Sequence, residues 1–542
     1  MMDDLKLIRP GEIRVRIAPS PTGALHIGVA RTALFNYLFA KKYQGIFVLR
    51  IEDTDIERSK SEWEKEIIEG LKWLGLDFEE GPEAGGDYGP YRQSQRGEIY
   101  KKYIEKLLEE KKIYYCFCSP EELEARRNYL MSIGEAPRYS GKCRNLSENE
   151  IKKNLKTGQP YVLRFKVPSK KVVFQDLLRG KIEYDTDIFG DIAIAKNLIT
   201  PLYNLASVID DFEMKITHII RGEDHIPNTP KQILIAEALE IEKPKYLHLP
   251  LILGSDRAKL SKRHNVKSVM EYKKEGYLPE ALVNFLAFLG WNPGTEREIF
   301  SLSSLIQGFF LEGIQKSGAI FNHKKLDWLN SFYLRQKSKE KLTELCLPYL
   351  IQSGLIEPYS PTEKPPKKGL LSPGKDFVPR GTYDSQLSIQ RFKTKDGVEE
   401  IPFEYLVNVV SLYQERLKKL SEISELTDFF FKEKLDYPKE LLRWTPPAPR
   451  PAMTDKEVEN SIDKLKKLLD KIKPENWTKE NIQISLLKLA AEAGEGDRGR
   501  ILWPLRVALT GKKASAGPFE VAEVLGKEKT LARIKEARKK LT

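Results

Sequence analysis

The hydrophobic pattern changes character several times along the chain, and each change predicts a different kind of element. Near the start, Ile13, Val15 and Ile17 alternate with arginines, which is the period of a half-buried strand. A break rich in proline and glycine follows, and apolar residues then return at helical spacing. A second apolar run at residues 46–51 completes a strand–loop–helix–strand unit, whose two strands we expect to be parallel. In open sheets of this kind, ligands bind beyond the carboxyl ends of the strands.

The middle of the chain has a different pattern, made of short strands and turns. Apolar and polar residues alternate across residues 161–167, and residues 174–184 resemble a hairpin. The α/β pattern then resumes, with strands predicted at residues 216–220 and 249–253. We therefore interpret residues 111–200 as an α+β domain inserted between two halves of one parallel sheet.

Beyond residue 271 the spacing of apolar residues is helical almost throughout. The exception is a stretch rich in proline and lysine at residues 356–380, which is typical of a loop or linker. The predicted fold class is α/β, with a Rossmann-type parallel-sheet domain, an inserted α+β domain and an all-α C-terminal region. The predicted segments are 1–110 and 201–265 for the two halves of the sheet domain, 111–200 for the insertion, 266–335 for a helical domain after the sheet, and 336–542 for the helical C-terminal region.

Composition narrows the choice of partners and compartment. The chain has 90 lysines and arginines against 78 acidic residues, a net charge of +12. Such an excess favours a polyanionic partner, although a merely basic surface would explain it equally well. The four cysteines are too few for a disulfide framework, and the Cys116-x-Cys118 spacing is typical of a metal site or of no special role. With no apolar run long enough to span a bilayer and no apolar core at an acidic start, we expect a cytoplasmic protein without a membrane partner.

Two motifs lie where strands of the two sheet halves are predicted to end. Residues 18–28 form a tight loop before a helix N-terminus, where backbone N–H groups and the helix dipole favour phosphate. In this loop, His26 can donate to phosphate oxygens and Gly28 leaves room for a nucleotide. The second motif is Arg257-Ala258-Lys259-Leu260-Ser261-Lys262-Arg263, whose cations can follow negative charge onto a departing pyrophosphate. Taken alone, the first motif is better explained as a helix cap and the second as a basic loop. Together, the two motifs can face one nucleotide.

Further polar residues surround the same predicted edge. Glu52 follows the second strand, where a carboxylate can bind an ammonium group, whereas Asp53 and Asp55 are more simply explained as helix caps. Arg16 and Arg221 can bind a carboxylate bidentately and would reject the corresponding neutral amide. The simpler alternative for Arg221 is a structural ion pair.

Taken in order, these motifs resemble those of a known family. The stretches RIAPSPTGALHIG, RIEDTD, LYNLASVIDD, IIRGEDHIPNTPKQ and KLSKR look like the signature blocks of bacterial-type glutamyl-tRNA synthetases, which are class I enzymes. Residues 417–431 and 503–511 are similar to the anticodon-binding part of that family, so the resemblance extends over the whole chain. It implies ATP-dependent attachment of L-glutamate to the 3′ end of tRNA(Glu) through a glutamyl-adenylate, with release of AMP and diphosphate. Whether tRNA(Gln) is also charged stays open.

The resemblance also implies two groups of site residues and the roles of the domains. The residues that would line the glutamate pocket are Arg16, Ala18, Ser20, Glu52, Tyr203, Ser207, Arg221 and Asp224. The residues that would bind ATP with its Mg²⁺ are His26, Gly28, Ile252, Lys259, Leu260, Ser261, Lys262 and Arg263, of which His26, Gly28, Lys259, Ser261 and Lys262 would be catalytic. The parallel sheet would be the catalytic domain, the insertion would bind the acceptor stem, residues 266–335 would contact the tRNA stem, and residues 336–542 would bind the anticodon. Members of this family need bound tRNA even for the first step, and we expect a monomer.

The chain departs from the family pattern in its cysteine motif. Zinc-bearing relatives have Cys-x-Cys followed by Cys-x-His, whereas here Asn145 stands where the histidine belongs, two residues after Cys143. Asparagine is a poor zinc ligand, so we predict that zinc is absent; three thiolates with a substitute ligand such as Tyr139 are the alternative.

Related functions are weighed against the same residues. Glutaminyl-tRNA synthetases have Pro-Glu-Pro-Asn where this chain has Pro-Ser-Pro-Thr at residues 19–22, and their C-terminal part is a β-barrel. The paralogue that forms glutamyl-queuosine lacks an anticodon domain, so this chain is too long for it. A nucleotidyltransferase or a catalytically silent RNA-binding relative would share the fold, but the presence of Lys259 and Lys262 argues against silence.

Overall fold

The computed structural model describes residues 11–55, 57–260, 267–358, 391–394, 400–446, 451–493 and 497–541. The chain forms two compact units, Met1–Leu329 and Asn330–Thr542. The strands described in the first unit are β1 (Arg14–Ile17), β2 (Ile46–Leu49), β3 (Ile113–Cys116), β4 (Val162–Phe165), β5 (Lys171–Asp176), β6 (Gly180–Asp185), β7 (Ile192–Ala195), β8 (His218–Gly222), β9 (Lys245–Leu249), β10 (Ile252–Leu253) and β11 (Ala319–Ile320). Its described α-helices are α1 (Ile27–Lys42), α2 (Ser61–Trp73), α3 (Gly97–Glu109), α4 (Pro120–Ser132), α5 (Glu148–Lys156), α6 (Tyr203–Glu213), α7 (Thr229–Leu239), α8 (Val269–Lys274), α9 (Pro279–Ala287), α10 (Leu302–Gly308) and α11 (His323–Arg335), the last of which continues into the second unit.

The opening strand–loop–helix–strand unit forms as predicted. β1 and β2 pair in parallel, with Arg14 opposite Ile46. Helix α1 between them is apolar on nearly every side, and Leu34, Phe35 and Leu38 are all fully buried. Such an all-round apolar helix packs into a core instead of lying on a surface. The carboxyl ends of both strands therefore lead directly into the loops that carry the predicted site residues.

The second half of the sheet has the order β6-β5-β9-β8. β8 and β9 are parallel, and so are β5 and β9, which meet at Asp176 and Tyr246. A backbone hydrogen bond from Thr217 N to Arg14 O (2.9 Å) connects the residue before β8 to β1. The two halves of the predicted sheet are thus neighbours, and their strand ends share one edge.

The predicted hairpin at residues 174–184 is observed as the antiparallel pair β5 and β6. The sequence did not predict which sheet this hairpin joins. In the structure β5 pairs with β9, so the hairpin extends the sheet that also contains β8. The insertion has a separate antiparallel sheet of order β3-β4-β7. Alternation of apolar residues shows that a strand exists, but it does not show which sheet the strand joins.

The single strand predicted at residues 249–253 is wrong. The structure has two strands, β9 and β10, separated by Pro250 and Leu251. Proline has no backbone N–H to donate to a neighbouring strand, so a strand readily ends beside it. The short β10 then pairs in parallel with β11.

The second unit is mainly helical, as predicted. Its described α-helices are α12 (Lys339–Gln352), α13 (Phe403–Ser411), α14 (Glu422–Thr427), α15 (Asp455–Asp470), α16 (Lys479–Ala493), α17 (Gly499–Thr510) and α18 (Pro518–Lys539). Three short strands, β12 (Ile356–Pro358), β13 (Arg391–Thr394) and β14 (Glu400–Pro402), form an antiparallel sheet that the all-α prediction did not include. The linker predicted at residues 356–380 begins with β12, and its part from residue 359 onward lies outside the described residues. None of the helices described here or in the first unit is both long and apolar enough to span a bilayer.

Candidate active site

The loop between β1 and α1 presents a helix N-terminus at the shared edge of the sheet. His26 is the N-cap of α1, and its ring accepts a hydrogen bond from the backbone N–H of Val29 (3.4 Å). A Cβ atom added at Gly28 would lie 3.2 Å from two atoms of the His26 ring. Glycine at this position therefore leaves space for the ring in its capping position. The two functions considered for His26, helix cap and phosphate donor, are compatible at one site.

Two charged groups from the second half of the sheet, Lys259 and Asp224, lie beside His26. Lys259 Nζ donates to Asp224 Oδ2 (3.0 Å). Burial and the neighbouring Lys259 ammonium lower the pKa of His26, and Asp224 opposes them only partly. The imidazole is thus neutral at pH 7, and its capping nitrogen accepts from Val29 while the other nitrogen can donate. For Asp224, burial would raise the pKa, but Lys259 and His225 hold it below the usual range.

The second motif follows β10 in a short turn. Leu253 and Lys259 form an antiparallel bridge, and Leu260 N donates to Ile252 O (2.9 Å). These bonds fix Ile252, Lys259 and Leu260 beside one another, next to the helix N-terminus that His26 caps. The remaining predicted residues of this motif, Ser261, Lys262 and Arg263, lie outside the described residues.

Arg221, which is predicted to line the glutamate pocket, is buried and only partly hydrogen-bonded. It lies in β8 and is 5% exposed. Its Nε atom donates to His248 Nε2 (3.1 Å) and its Nη2 atom donates to Thr229 Oγ1 (2.7 Å). Its Nη1 atom is buried and has no hydrogen-bond partner in the protein. The structural ion pair considered for Arg221 is therefore not observed among the described residues, and one strong donor is left over.

The other predicted arginine, Arg16, is paired within the protein. It is 4% exposed, and its Nε and Nη2 atoms contact the two carboxylate oxygens of Asp211 (2.9 and 3.3 Å). Arg50 donates to the same carboxylate (2.6 Å) and to Glu52 Oε1 (3.0 Å). Burial raises the pKa of Glu52, and Arg50 offsets that only partly. Arg16 and Glu52 thus belong to one cluster of buried charges that Asp211 and Arg50 link together, and Asp210 also approaches Arg50 Nε (3.9 Å).

The remaining predicted pocket residues lie on the loop after β1 and on α6. Tyr203 begins α6, and its hydroxyl is 2.9 Å from His225 Nδ1. Ser207 is buried one turn further along the helix, whereas Ser20 is exposed. Ala18 is half-buried beside the end of β1. The backbone N–H of Glu52 donates to Pro19 O (3.0 Å), which ties this loop to the end of β2.

Several residues at this edge were missed by sequence reasoning. Asp211 pairs with both arginines of the buried cluster, while His248 and Asp176 form a buried network beside Arg221. The side-chain oxygen of Asn204 is buried without a partner, like the Nη1 atom of Arg221. These residues could have been found because each is a polar residue inside an apolar run. A polar residue in such a run is buried only when it has a partner in the protein or a ligand.

The proposed caps of the following helix were wrong. Helix α2 has Lys60 as its N-cap, without a side-chain hydrogen bond. Asp53 instead accepts from the N–H and hydroxyl of Ser94 (2.8 and 2.6 Å), and Asp55 pairs with Arg58. The loop after β2 is long enough to place these carboxylates before the helix begins.

The three cysteines of the insertion lie together. The sulfur atoms of Cys116, Cys118 and Cys143 are within 4.8 Å of one another. The Tyr139 hydroxyl is 3.4 Å from the first two sulfurs and accepts from the backbone N–H of Cys143 (3.0 Å). Thiolates that share one tetrahedral zinc, each about 2.3 Å from the ion, lie about 3.8 Å apart, and the sulfurs of Cys118 and Cys143 are 3.7 Å apart. The group thus supplies three thiols and one oxygen.

Comparison with known proteins agrees with this geometry. Residues 12–328 match the family of class I tRNA synthetases (E and Q), catalytic domain, and residues 385–538 match an anticodon binding domain. The chain is 44% identical over 529 residues to glutamate–tRNA ligase 1 of Caldicellulosiruptor saccharolyticus, covering 96% of this chain and 98% of that protein. It is also 44% identical over 524 residues to the glutamate–tRNA ligase of Carboxydothermus hydrogenoformans, covering 96% and 99%.

A solved structure extends the likeness to three dimensions. The glutamate–tRNA ligase of Elizabethkingia meningosepticum, solved in complex with its amino acid, is 33% identical to this chain with a TM-score of 0.79. The match covers 98% of this chain and 100% of that one. Sequence, domain order and fold agree over nearly the full length, and the chain therefore belongs to the glutamate–tRNA ligase family of class I aminoacyl-tRNA synthetases.

Proposed function

We propose that the edge around Arg221 binds L-glutamate during its ATP-dependent attachment to tRNA. The observation that carries this is the buried, unpartnered Nη1 atom of Arg221, which a substrate carboxylate would satisfy. The unpartnered oxygen of Asn204 offers an acceptor for the substrate ammonium group. The proposed pocket comprises Arg16, Ala18, Ser20, Glu52, Tyr203, Ser207, Arg221 and Asp224.

The proposed ATP site lies at the N-terminus of α1. The helix dipole and the free N–H groups there favour phosphate, and Lys259 adds a cation. The proposed residues are His26, Gly28, Ile252, Lys259 and Leu260, with Ser261, Lys262 and Arg263 of the adjoining segment expected to join them. Mg²⁺ would arrive as part of the ATP complex.

The chemistry runs in two steps. In the first, a carboxylate oxygen of glutamate attacks the α-phosphorus of ATP, the bond to the β-phosphate oxygen breaks, and diphosphate leaves with its electron pair. In the second, the ribose hydroxyl at the 3′ end of the tRNA attacks the carbonyl carbon of the adenylate; AMP leaves, and the hydroxyl proton is released. In both steps the protein positions the reactants and offsets negative charge, because buried cations are most effective in a site that excludes water.

Partners and domain roles extend the proposal. The acceptor is tRNA(Glu), and tRNA(Gln) is the second candidate because the matching family includes enzymes for both amino acids. We propose that residues 111–200 contact the acceptor stem, that residues 266–335 contact the stem, and that residues 336–542 read the anticodon. We further propose that the enzyme works as a cytoplasmic monomer.

The sequence-based prediction that zinc is absent stays a prediction. The three sulfur atoms and the Tyr139 oxygen would fit a tetrahedral ion, which would act structurally by holding the loop from Cys118 to Cys143. Tyrosine, however, is outside the usual set of zinc ligands. Metal analysis of the purified, undialysed protein tests whether zinc is bound. We expect no stoichiometric zinc. One zinc per chain that is lost in a Cys143→Ser variant would overturn the prediction.

Pyrophosphate exchange, with and without tRNA, tests the proposed pocket. We expect exchange in the wild-type enzyme only when glutamate, ATP and tRNA are all present. Arg221→Ala should reduce kcat/KM for glutamate on the order of 100-fold, because the charged partner of the substrate carboxylate is lost. The KM for ATP should stay close to that of the wild type. A glutamate KM unchanged by Arg221→Ala would show that the pocket is elsewhere.

A further inference from the structure

Arg221 is anchored by a histidine instead of a carboxylate. His248 on β9 is the register partner of Arg221 on β8, and its Nε2 atom accepts from Arg221 Nε (3.1 Å). The second anchor, Thr229, is an uncharged hydroxyl. Among the described residues Arg221 forms no ion pair, so no direct partner cancels its charge.

Asp176 determines which nitrogen of His248 carries the proton. Its carboxylate is fully buried at the end of β5, 2.7 Å from His248 Nδ1 and 3.1 Å from the backbone N of the same residue. It also accepts from the N–H groups of Leu178 (2.9 Å) and Arg179 (2.8 Å). Because a carboxylate bonded in this way only accepts, Nδ1 carries the hydrogen and the lone pair of Nε2 faces Arg221.

The same geometry disfavours the doubly protonated ring, whose Nε2 atom lies 3.1 Å from Arg221 Nε and also 3.1 Å from Thr229 Oγ1. An imidazolium would place its Nε2–H opposite the Nε–H of Arg221 at 3.1 Å, where both atoms are donors. Burial lowers the pKa of His248, and the hydrogen bond to Asp176 offsets that effect only in part. The ring is therefore a neutral acceptor at physiological pH.

The second arginine of the proposed pocket, Arg16, differs from Arg221 in how its charge is balanced. Arg16 makes two contacts with Asp211, so its charge is largely balanced inside the protein. Arg221 keeps its charge unbalanced and one donor free. The pocket thus contains one arginine that is neutralised by its partner and one that is held in place without being neutralised.

We propose that His248, oriented by Asp176, is a positioning residue that holds Arg221 while leaving its charge available to the substrate, and that it thereby sets the preference for glutamate over glutamine. This inference rests on the proposed glutamate pocket. A carboxylate anchor would attract the guanidinium itself and would weaken its pull on the substrate carboxylate. It would also remove much of the penalty for placing a neutral amide beside Arg221.

Three substitutions of His248 test separately its acceptor for Arg221, its donor to Asp176 and its lack of charge. In His248→Gln the side-chain amide oxygen can replace Nε2 as the acceptor for Arg221. In His248→Asn the amide can replace Nδ1 as the donor to Asp176, but the acceptor for Arg221 is lost. His248→Glu keeps an acceptor and adds the charge that the wild type avoids. The exposed His323 offers a matched control, His323→Gln, that keeps the pocket unchanged.

The assay is tRNA-dependent pyrophosphate exchange, with KM measured for glutamate and ATP and with glutamine as a competitive inhibitor. We expect His248→Gln to stay within roughly threefold of the wild type and His248→Asn to raise the glutamate KM roughly tenfold, with little change in the ATP KM. For His248→Glu we expect kcat/KM for glutamate to fall roughly 10- to 100-fold. In the same variant, the ratio of the glutamine inhibition constant to the glutamate KM should also fall.

Two results would overturn the inference. One is an unchanged glutamate-to-glutamine ratio in His248→Glu; the other is a parallel change in the KM values for glutamate and ATP, which a purely structural role would give. Arg221→Ala in the same assay separates the two proposals. If it raises the glutamate KM while the His248 variants do not, only the role of His248 is wrong; if it has no effect, both proposals fail.

A spectroscopic measurement on the wild-type protein reports the protonation of His248 directly. In protein labelled with ¹⁵N-histidine, the His248 ring should show a protonated Nδ1 and an unprotonated Nε2 from pH 6 to 9, assigned by the loss of its signals in His248→Gln. A protonated Nε2 in that range would contradict the proposed anchor.

Discussion

At the scale of single residues, the sheet edge depends on how buried charges are paired. Asp211 accepts hydrogen bonds from both Arg16 and Arg50, and Arg50 also contacts Glu52. Each of these groups is nearly inaccessible to water, so an unpaired charge among them is costly. The cluster is therefore expected to stabilise the fold as a unit and to hold Arg16 and Glu52 where the substrate would bind.

Replacing Asp211 by asparagine tests this cluster. The change keeps the shape but removes the carboxylate that pairs with Arg16 and one of those that contact Arg50. We therefore expect a loss of about 3 to 5 kcal/mol in the free energy of unfolding. Thermal unfolding monitored by circular dichroism measures the change. Asp77→Asn, at an exposed position of the same unit, serves as the control. A melting temperature equal to that of the control variant would contradict the paired arrangement.

The stability difference between wild type and Asp211→Asn should also depend on pH. Burial alone would raise the pKa of Asp211, but Arg16 and Arg50 hold it below its usual range. A depressed pKa in the folded state means that the contribution is complete above the usual aspartate pKa of about 3.9 and is lost as pH falls through the lower folded value. Denaturant titrations at pH 7 and at decreasing acidic pH should show the two proteins converging. A difference that stays constant on acidification would count against this assignment.

The sequence offers candidates for the site residues, but it does not give their pairing. Arg16 and Arg221 look alike as candidates for carboxylate binding. Their partners, Asp211 and His248, come from other elements that only the folded sheet brings next to them. Local pattern gives the element and the face of a residue, whereas pairing of buried charges depends on contacts across the sheet.

At the scale of elements, the N-terminus of α1 has an observed structural role, to which we propose that a chemical role is added. His26 caps the helix, while Asp224 and Lys259 arrive from the loops after β8 and β10. The sequence predicts both strands and the helix of the opening unit because their apolar periods differ clearly. The hairpin was also predicted, but its pairing with β9 was not, since an alternating strand carries no information about its neighbour.

Two substitutions at His26 distinguish the cap from the chemistry. His26→Ala removes the cap and should lower stability by about 1 kcal/mol, whereas His26→Asn keeps a preferred cap residue and should restore it. Neither variant can replace the imidazole at the proposed phosphate site, so both should lose roughly 10- to 100-fold in kcat/KM for ATP. Urea denaturation and pyrophosphate exchange on the same samples provide both values. Full activity in His26→Asn would mean that capping is the whole role of this residue.

At the scale of the whole molecule, the chain combines a synthetase catalytic unit with a helical unit that includes the anticodon binding domain. The order of these parts was predicted from hydrophobic periodicity and motif order together. The three short strands of the second unit were not predicted, because runs of three or four residues are too short to show a period. The net charge of +12 suits a tRNA partner whose phosphates attract a basic surface.

Binding of tRNA should therefore weaken with salt. Between about 50 and 200 mM KCl we expect the Kd for tRNA to rise at least tenfold, because cations of the protein displace counterions from the phosphates. The KM for glutamate, which we propose binds inside a buried pocket, should change much less. Filter binding at several salt concentrations measures the first quantity and pyrophosphate exchange the second. A tRNA affinity that does not depend on salt would contradict the electrostatic account.

The most direct test of the account is charging of purified tRNA(Glu) and tRNA(Gln) with labelled glutamate, with ATP, Mg²⁺ and enzyme omitted in turn. We expect tRNA(Glu) to accept glutamate only in the complete mixture and Arg221→Ala to be strongly impaired. Charging of tRNA(Gln) in parallel decides whether the enzyme discriminates between the two. Failure of the folded wild-type enzyme to charge either tRNA in the complete mixture would contradict the central claim.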